Sequence, residues 1–139
     1  MKTFDVIALG ELNVDLILNR IAGFPEVGKE IFARDMICTL GSSTAIFAAN
    51  VSALGARTAF AGMIGRDAFG ELVRGSLEAR GVDTRYVIEA ADRATGVTVV
   101  MSYGEDRANV TYPGAMEALR FADLDPEIFL SARHIHLSS

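Results

Sequence analysis

The chain has 139 residues, a length at which one domain buries roughly two-thirds of its unfolded surface. Half of the residues are hydrophobic and no segment is of low complexity, which excludes a disordered chain. The net charge is −5 without a basic run, which argues against nucleic acid as a partner. No apolar run approaches the ~18 residues that a membrane span needs, so we expect no membrane segment.

The amino terminus and the cysteine content indicate a cytoplasmic protein. Acidic residues, among them Glu11 and Asp15, stand where a secretory signal would have its cleavage site, so we expect no export. The one cysteine, Cys38, excludes an internal disulfide and fits a reducing compartment. Because Cys38 follows Ile37 in an apolar segment, we expect its side chain to be packed rather than to act as a nucleophile.

A run from Phe4 to Leu9 that is apolar except at Asp5 predicts a central parallel strand covered on both faces. After it, Glu11, Asn13 and Asp15 alternate with apolar residues, so an extended chain points all three polar side chains the same way. They follow the carboxyl end of a buried strand, which is where open α/β sheets bind ligands. The alternative is a solvated strand end that forms an Asx turn.

Residues 40 to 70 form the unit around which the rest of the chain is organised. A small polar turn from Gly41 to Thr44 leads into a nearly all-apolar helix, and Gly55 ends this helix by taking a left-handed conformation. A helix that is apolar on most faces is expected to be buried inside a layered α/β domain. The turn offers backbone N–H groups and hydroxyls at the helix start, which suits an oxygen-rich ligand.

The remaining segments predict further strands and helices in an alternating order. Apolar spacing, β-branched residues and capping residues mark each of them. They are a strand at 58–64, a helix at 68–80 with Asp67 as its N-cap, a strand at 82–88, a hairpin with strands at 95–103 and 109–112, a helix at 123–132 and a buried strand at 133–137.

Two β-rich segments, residues 16–37 and 95–112, interrupt this order and show no helical pattern. We expect them to pair into a small separate sheet, a lid that covers a cleft. The α/β core then consists of residues 1–15, 38–94 and 113–139. The predicted fold class is therefore α/β, a layered arrangement with a mostly parallel central sheet and a small β lid.

Short motifs occur in a fixed order along the whole chain. They are Gly10-Glu11-x-Asn13-x-Asp15, Gly41-Ser42 before a helix that ends in Leu54-Gly55, Gly65-x-Asp67-x-Phe69-Gly70, Thr95-Gly96-Val97, Tyr112-x-Gly114-Ala115 and His134-Ile135-His136-Leu137-Ser138. In this order and spacing they resemble the amino-terminal half of the ribokinase-like (PfkB) carbohydrate and nucleoside kinases. The resemblance covers essentially all 139 residues and implies a ribokinase-like α/β fold, here truncated.

The resemblance also implies a reaction and a substrate site. The family transfers the γ-phosphoryl group of ATP, with Mg²⁺, to a hydroxyl of a sugar, a sugar acid or a nucleoside. Asn13 and Asp15 match residues that hydrogen-bond sugar hydroxyls, and the turn that begins at Gly41 matches the backbone next to the sugar. Arg107, on the lid turn, either reaches an anionic substrate group or is a solvated loop residue. The implied substrate-binding residues are Asn13, Asp15, Gly41, Ser42, Ser43, Thr44 and Arg107.

In many members of the family the lid also forms a homodimer contact, so the resemblance implies a homodimer.

Two substitutions put the identity of the substrate in question. The family's paired glycines are Gly41-Ser42 here, and the asparagine commonly found on the following helix is Ile46. The loss of that amide removes one hydroxyl contact, for which the hydroxyls of Ser42 and Ser43 could compensate in part.

A larger difference concerns catalysis. The family's Gly-Ala-Gly-Asp turn supplies the anion hole and the aspartate base, and it does not occur in this sequence. A lysine-bearing phosphate loop is also absent from the sequence. We therefore predict that this chain alone is inactive as a kinase, and we assign it no catalytic, nucleotide-binding or metal-binding residue.

Two alternatives remain open. The chain is either the sugar-binding and lid portion of a carbohydrate kinase or a non-catalytic module that binds a sugar-like ligand or dimerises. His134 and His136 share one strand face and could ligate a metal together. Because no cysteine or acid stands beside them, we favour histidines that pack in the core or face the lid.

Overall fold

Two four-stranded sheets make up the structure, a computed structural model that describes residues 2 to 138. In chain order the strands are β1 (Phe4–Gly10), β2 (Asn13–Asn19), β3 (Asp35–Leu40), β4 (Thr58–Gly65), β5 (Asp83–Ala90), β6 (Gly96–Tyr103), β7 (Asp106–Tyr112) and β8 (Ala132–Ser138). The helices are α1 (Ser43–Ala53), α2 (Ala68–Glu78) and α3 (Pro126–Leu130), with short 3-10 helices at Gly114–Ala118 and Phe121–Asp123. Helix α3 is shorter than the predicted span of 123–132. Within residues 2 to 138, none of the helices has the length and apolar content that crossing a bilayer requires.

The first sheet is parallel throughout, with the strand order β5-β4-β1-β8. Strand β4 is buried along its whole length because other layers cover both faces of the sheet. On one face, Phe60 of β4 joins a cluster that includes Ala48 of α1 and Leu77 of α2. On the other face, Ile7 of β1 lies in a cluster with Ile128 of α3. This arrangement confirms the predicted layered α/β fold with a parallel central sheet.

The second sheet has the strand order β3-β2-β6-β7 and is antiparallel except between β2 and β6. It brings together the two β-rich segments that were expected to pair. Its first strand begins at Asn13 rather than at residue 16, so Asn13 and Asp15 belong to β2 and not to a loop after β1. Because successive residues of a strand alternate between faces, Asn13, Asp15 and Ile17 share one face of this sheet.

Helix α1 is buried along one face, so the expectation of a helix enclosed on most faces is wrong. Small side chains let the helix come close to the first sheet, whereas the larger Ile46 points to solvent with 44% of its surface exposed. Gly55 has a φ of 99°, which confirms that a left-handed glycine follows the helix. The buried residues of the helix are Thr44, Ala45, Ala48 and Ala49.

Two further expectations about burial are wrong because the residues lie at the edge of a sheet. Within the described residues β8 pairs with β1 and forms an edge of the first sheet, so His134 and Ile135 are exposed rather than buried. Cys38 lies in β3, an edge strand of the second sheet, and is exposed rather than packed. An apolar or β-branched segment identifies a strand, but the position of that strand in the sheet depends on pairing with distant residues.

Asp67 joins the two sheets to helix α2. As predicted, it is the N-cap of α2, and its Oδ1 accepts a hydrogen bond of 2.8 Å from the Gly70 N–H. The same carboxylate accepts 2.8 Å and 2.7 Å bonds from the backbone N–H and the hydroxyl of Thr95, the residue before β6. The Thr95 hydroxyl in turn accepts a 2.9 Å bond from the N–H of Gly65, which ends β4. Burial raises the pKa of Asp67, but the bonds from Thr95 and Gly70 outweigh it and hold the pKa below its usual 3.8.

We predict that Asp67→Ala lowers the free energy of unfolding by about 2 to 4 kcal/mol, because the helix loses its N-cap and the buried Thr95 N–H loses its partner. The folded pKa is below the unfolded one, so this stabilisation is complete above the unfolded pKa and is lost as the pH falls through the folded pKa. Urea unfolding of both proteins should therefore give a difference that is full at pH 7 and shrinks below pH 3.8.

Asp92→Ala is the matched control, since Asp92 is exposed. It should change the unfolding free energy by less than about 0.5 kcal/mol. An Asp67→Ala protein as stable as the unchanged chain at pH 7 would show that the two sheets do not depend on this carboxylate.

Candidate substrate site

Asn13 and Asp15 lie against the backbone of Gly41, at the point where the second sheet meets the start of α1. The Gly41 N–H donates a 2.9 Å hydrogen bond to the carbonyl oxygen of Asn13. A Cβ added to Gly41 would lie 2.7 Å from the Asn13 Oδ1 and still closer to the Asp15 Oδ1. Only a residue without a side chain allows this approach, so Gly41 is required for the position of both polar groups.

Ser42 occupies a backbone conformation that normally belongs to glycine. Its φ is 68° and its ψ is 126°, which costs an L-residue of order 1 kcal/mol. In the kinase family that the motifs resemble, this position carries the second of two glycines. A glycine would adopt the conformation without steric cost. The Ser42 hydroxyl partly offsets the strain because it caps α1, accepting a 3.3 Å bond from the Ala45 N–H.

A hydrogen-bond network connects Asn13 and Asp15 to two threonines of the second sheet. The Asn13 side-chain amide donates a 3.2 Å bond to the Asp15 Oδ1 and a 3.0 Å bond to the Thr98 hydroxyl. The hydroxyls of Thr98 and Thr111 are 3.0 Å apart. The carboxylate beside Asn13 fixes the orientation of its amide, because only the NH₂ end can face Asp15. Both hydrogens of that amide are thus engaged, and its Oδ1 remains an acceptor.

These groups line an open hollow of about 270 Å³. Its wall on the second sheet is one face of that sheet, because Asp15, Thr98 and Thr111 are cross-strand neighbours. A second cavity of about 520 Å³ also includes Asp15, together with Ile17, Ile46 and Arg80. The residues that line the smaller hollow are Glu11, Asn13, Asp15, Ser42, Thr98, Val100, Arg107, Asn109, Thr111 and Met116.

The Asp15 carboxylate is held where water solvates it only in part. Burial raises its pKa above the usual 3.8, and the hydrogen bond from Asn13 and the positive charge of Arg107 act in the opposite direction. A partly desolvated carboxylate forms stronger hydrogen bonds than one in bulk water. Its free lone pairs can accept hydrogen bonds from neighbouring O–H groups of a ligand.

The structure brings most of the predicted site residues together. Asn13, Asp15, Ser42 and Arg107 line the hollow, and Gly41 is buried directly behind Asp15. The two remaining predicted residues lie elsewhere. Thr44 is buried and donates a 2.7 Å hydrogen bond to the Ser138 carbonyl, and the Ser43 hydroxyl is 3.4 Å from the Ser138 hydroxyl. Ser43 and Thr44 therefore connect α1 to the end of β8 rather than line the hollow.

Three polar residues of the hollow, Thr98, Asn109 and Thr111, were not among the predicted site residues. A signal for two of them was present in the predicted hairpin. Arg107, Asn109 and Thr111 alternate with Ala108, Val110 and Tyr112, which places the three polar residues on one face of a strand. The pairing of this strand with β6 then places Thr111 beside Thr98.

The described residues contain no cluster of metal-ligating side chains. No three or more His, Cys, Asp or Glu side chains within residues 2 to 138 converge to hold a metal ion. The ring of His136 stacks on Phe47 with centroids 3.8 Å apart, and His134 is exposed. The hypothesis that His134 and His136 ligate a metal together therefore has no third His, Cys, Asp or Glu ligand to complete it among the described residues.

Together these features define an α/β protein that places a polar ligand site between a helix start and a separate sheet. Residues 3–139 match the pfkB family of carbohydrate kinases. The chain belongs to this family, which confirms the resemblance found in its motifs.

Individual relatives agree with this membership. The "Nucleoside kinase" of Methanothermobacter thermautotrophicus is 29% identical over 136 residues, which are 97% of this chain and 44% of that protein. The fructokinase of Halothermothrix orenii superposes with a TM-score of 0.80 at 28% identity and over 96% of this chain and 45% of that one. The Arabidopsis thaliana ribokinase "complexed with Ribose and ATP" superposes with a TM-score of 0.82 at 28% identity and the same coverage. The fold is therefore the ribokinase-like α/β fold, and the chain spans less than half the length of these relatives.

We predict that Gly41→Ala lowers the free energy of unfolding by about 1 to 3 kcal/mol, because the new methyl group overlaps Asp15 and Asn13. Urea unfolding measures the change. The matched control is Gly75→Ala, since a Cβ at this exposed position of α2 meets nothing within 4 Å. The control should raise the stability by up to about 1 kcal/mol, as expected for a helix interior. Equal effects of the two substitutions would contradict the close approach at Gly41.

Proposed function

We propose that this chain is the sugar-binding and lid portion of an ATP-dependent carbohydrate kinase. The phosphoryl acceptor is a hydroxyl of a sugar, a sugar acid or a nucleoside. The observation that carries the proposal is the contact of Asn13 and Asp15 with the Gly41 backbone. This contact lies at the edge of the hollow that the polar face of the second sheet lines. Membership of the pfkB family supports it, as does the ribose and ATP bound to the Arabidopsis thaliana ribokinase.

In this proposal Asp15 orients the substrate. Its carboxylate accepts hydrogen bonds from two adjacent hydroxyls, which fixes both the position and the rotation of the sugar. The Asn13 Oδ1 accepts a third. The second sheet acts as the lid, whose polar face closes over the sugar and excludes water from these bonds.

We further propose that residues outside this chain complete the reaction. ATP, when bound with Mg²⁺ in the intact enzyme, supplies the phosphoryl group. The Gly-Ala-Gly-Asp turn that the family uses for the base is not present in the 139 residues. The chain alone therefore binds the acceptor without phosphorylating it, and the intact enzyme works in the cytoplasm.

Calorimetry with a panel of sugars, sugar acids and nucleosides tests this site. We expect Asp15→Asn to weaken the binding of the best ligand by roughly 10- to 100-fold, the effect of removing a charged hydrogen-bond acceptor. The same change should raise the urea midpoint at pH 7, because burial disfavours the ionised carboxylate that the variant lacks.

Glu105→Gln is the control for the loss of one negative charge, since Glu105 is exposed on the hairpin turn. It should bind the ligand as the unchanged chain does. The same samples incubated with ATP and Mg²⁺ should give no phosphorylated product. Full affinity in Asp15→Asn would remove Asp15 from the site, and product formation by the chain alone would refute the assignment of the base to residues outside it.

We also propose that two copies of the chain associate through the face of the lid that points away from the hollow. This outer face is apolar and in part exposed, with Met36 at 66% and Val110 at 61% exposure. A second copy that covers these residues would remove apolar surface from water. The cross-strand rows of this face are Cys38, Val99 and Val110, and Leu18, Met36, Met101 and Ala108. Leu16, which completes the first row, packs against the core of the chain.

Sedimentation velocity of Val110→Glu tests the homodimer. A carboxylate buried in an apolar contact is left unpaired, so we expect the variant to sediment as a monomer at concentrations where the unchanged chain is a dimer. Val27→Glu is the matched control, because Val27 is fully exposed on the loop between β2 and β3 and should not change the association. A monomeric unchanged chain would refute the proposed dimer.

A further inference from the structure

Charged groups are unevenly distributed along the hollow that contains Asp15. The acids Glu11 and Asp15 lie at the end where β1 passes into β2, together with the acceptor Oδ1 of Asn13. Arg107 and Asn109, which supply N–H donors, come from β7 near the hairpin turn. The negative charges therefore lie at one end of the hollow, and its positive charge lies at the other end.

The register of the second sheet shows how far apart these ends are. Asp15 lies beside Thr98, which pairs with Thr111, whereas Arg107 pairs with Ser102 four positions further along β6. Four residues of a strand span about 13 Å. The Arg107 side chain nevertheless lines the same hollow as Asp15. The hollow is thus polarised along the strands, from an acidic end at β2 to a basic end at the hairpin.

Donors at both ends of the hollow are not used within the described residues. The guanidinium of Arg107 has no acid within 4.0 Å among residues 2 to 138, whereas Arg57 and Arg74 each have one. The hydroxyls of Thr98 and Thr111 carry two hydrogens, and the bond between them uses one whichever way it runs. One hydroxyl hydrogen of this pair therefore remains for a ligand.

We propose that the substrate is a single polyhydroxylated acid, whose hydroxyls donate to Asp15 and whose carboxylate accepts hydrogen bonds from Arg107. This inference rests on the proposed function and makes Arg107 a specificity-determining residue. A neutral sugar would satisfy Asp15 but would leave the Arg107 guanidinium without an anion. A carboxylate accepts hydrogen bonds from two N–H groups of the guanidinium at once.

Calorimetry with matched pairs of ligands tests the proposal. Each pair consists of an aldonate and the alditol that carries a CH₂OH in place of the carboxylate: D-gluconate and D-glucitol, D-galactonate and galactitol, D-ribonate and ribitol. We expect the chain to bind at least one acid about tenfold or more tightly than its alditol, the usual effect of a charged hydrogen bond. In Arg107→Gln this preference should be lost. The affinity for the acid falls because its carboxylate loses the arginine, whereas the affinity for the alditol, which has no carboxylate, stays the same.

Arg34→Gln controls for the loss of one positive charge, since Arg34 is an exposed arginine just before β3, and it should keep the preference for the acid. D-ribose and adenosine complete the panel as neutral ligands. Binding of an alditol, D-ribose or adenosine with no preference for any acid would overturn the inference and leave the proposed function intact. An Asp15→Asn variant with unchanged affinity, or a chain that binds no member of the panel, would overturn the proposed function itself.

Discussion

The candidate site depends on the close approach of the Gly41 backbone to two polar side chains. Asn13 and Asp15 are on a strand of the second sheet, and Gly41 immediately precedes the turn into α1, which packs on the first sheet. Because residue 41 has no Cβ, the start of the helix and the carboxylate can lie in direct contact. A larger residue would displace Asp15 and Asn13 from the start of the helix, where the ligand groups converge.

A second contact, formed by Asp67, connects the two sheets through Thr95 and Gly65. Its carboxylate bonds Thr95 before β6 and caps α2, so the strand that carries Thr98 starts from a fixed position. The hollow lies between these two contacts. Their effects differ, because Asp67 is stabilised as an anion by its donors, whereas burial works against the ionised form of Asp15. The protein thus gains stability at one carboxylate and sacrifices some at the other, as is common where a group must remain free to bind.

The sequence predicts those parts of the fold and the site that depend on neighbouring residues. Three features are visible within a few positions of the sequence. They are the apolar runs of β1 and β4, the Asp67 cap, and the alternation of Asn13 and Asp15 with apolar residues. Burial of Cys38 and of the segment that forms β8 was predicted wrongly, because a strand becomes an edge only through its pairing with distant strands. Thr98 was missed for a related reason, since 85 positions separate it from Asn13, to which it is hydrogen-bonded.

The two substitutions relative to the family pattern change where a ligand can be recognised. The family's helix amide is replaced by Ile46, which lines the larger cavity and offers no hydrogen bond. Ser42 keeps the strained backbone of a glycine but uses its hydroxyl to cap α1. Most of the polar groups of the smaller hollow therefore belong to the second sheet, on strands β2, β6 and β7. Recognition of the ligand is consequently coupled to the position of that sheet relative to the start of α1.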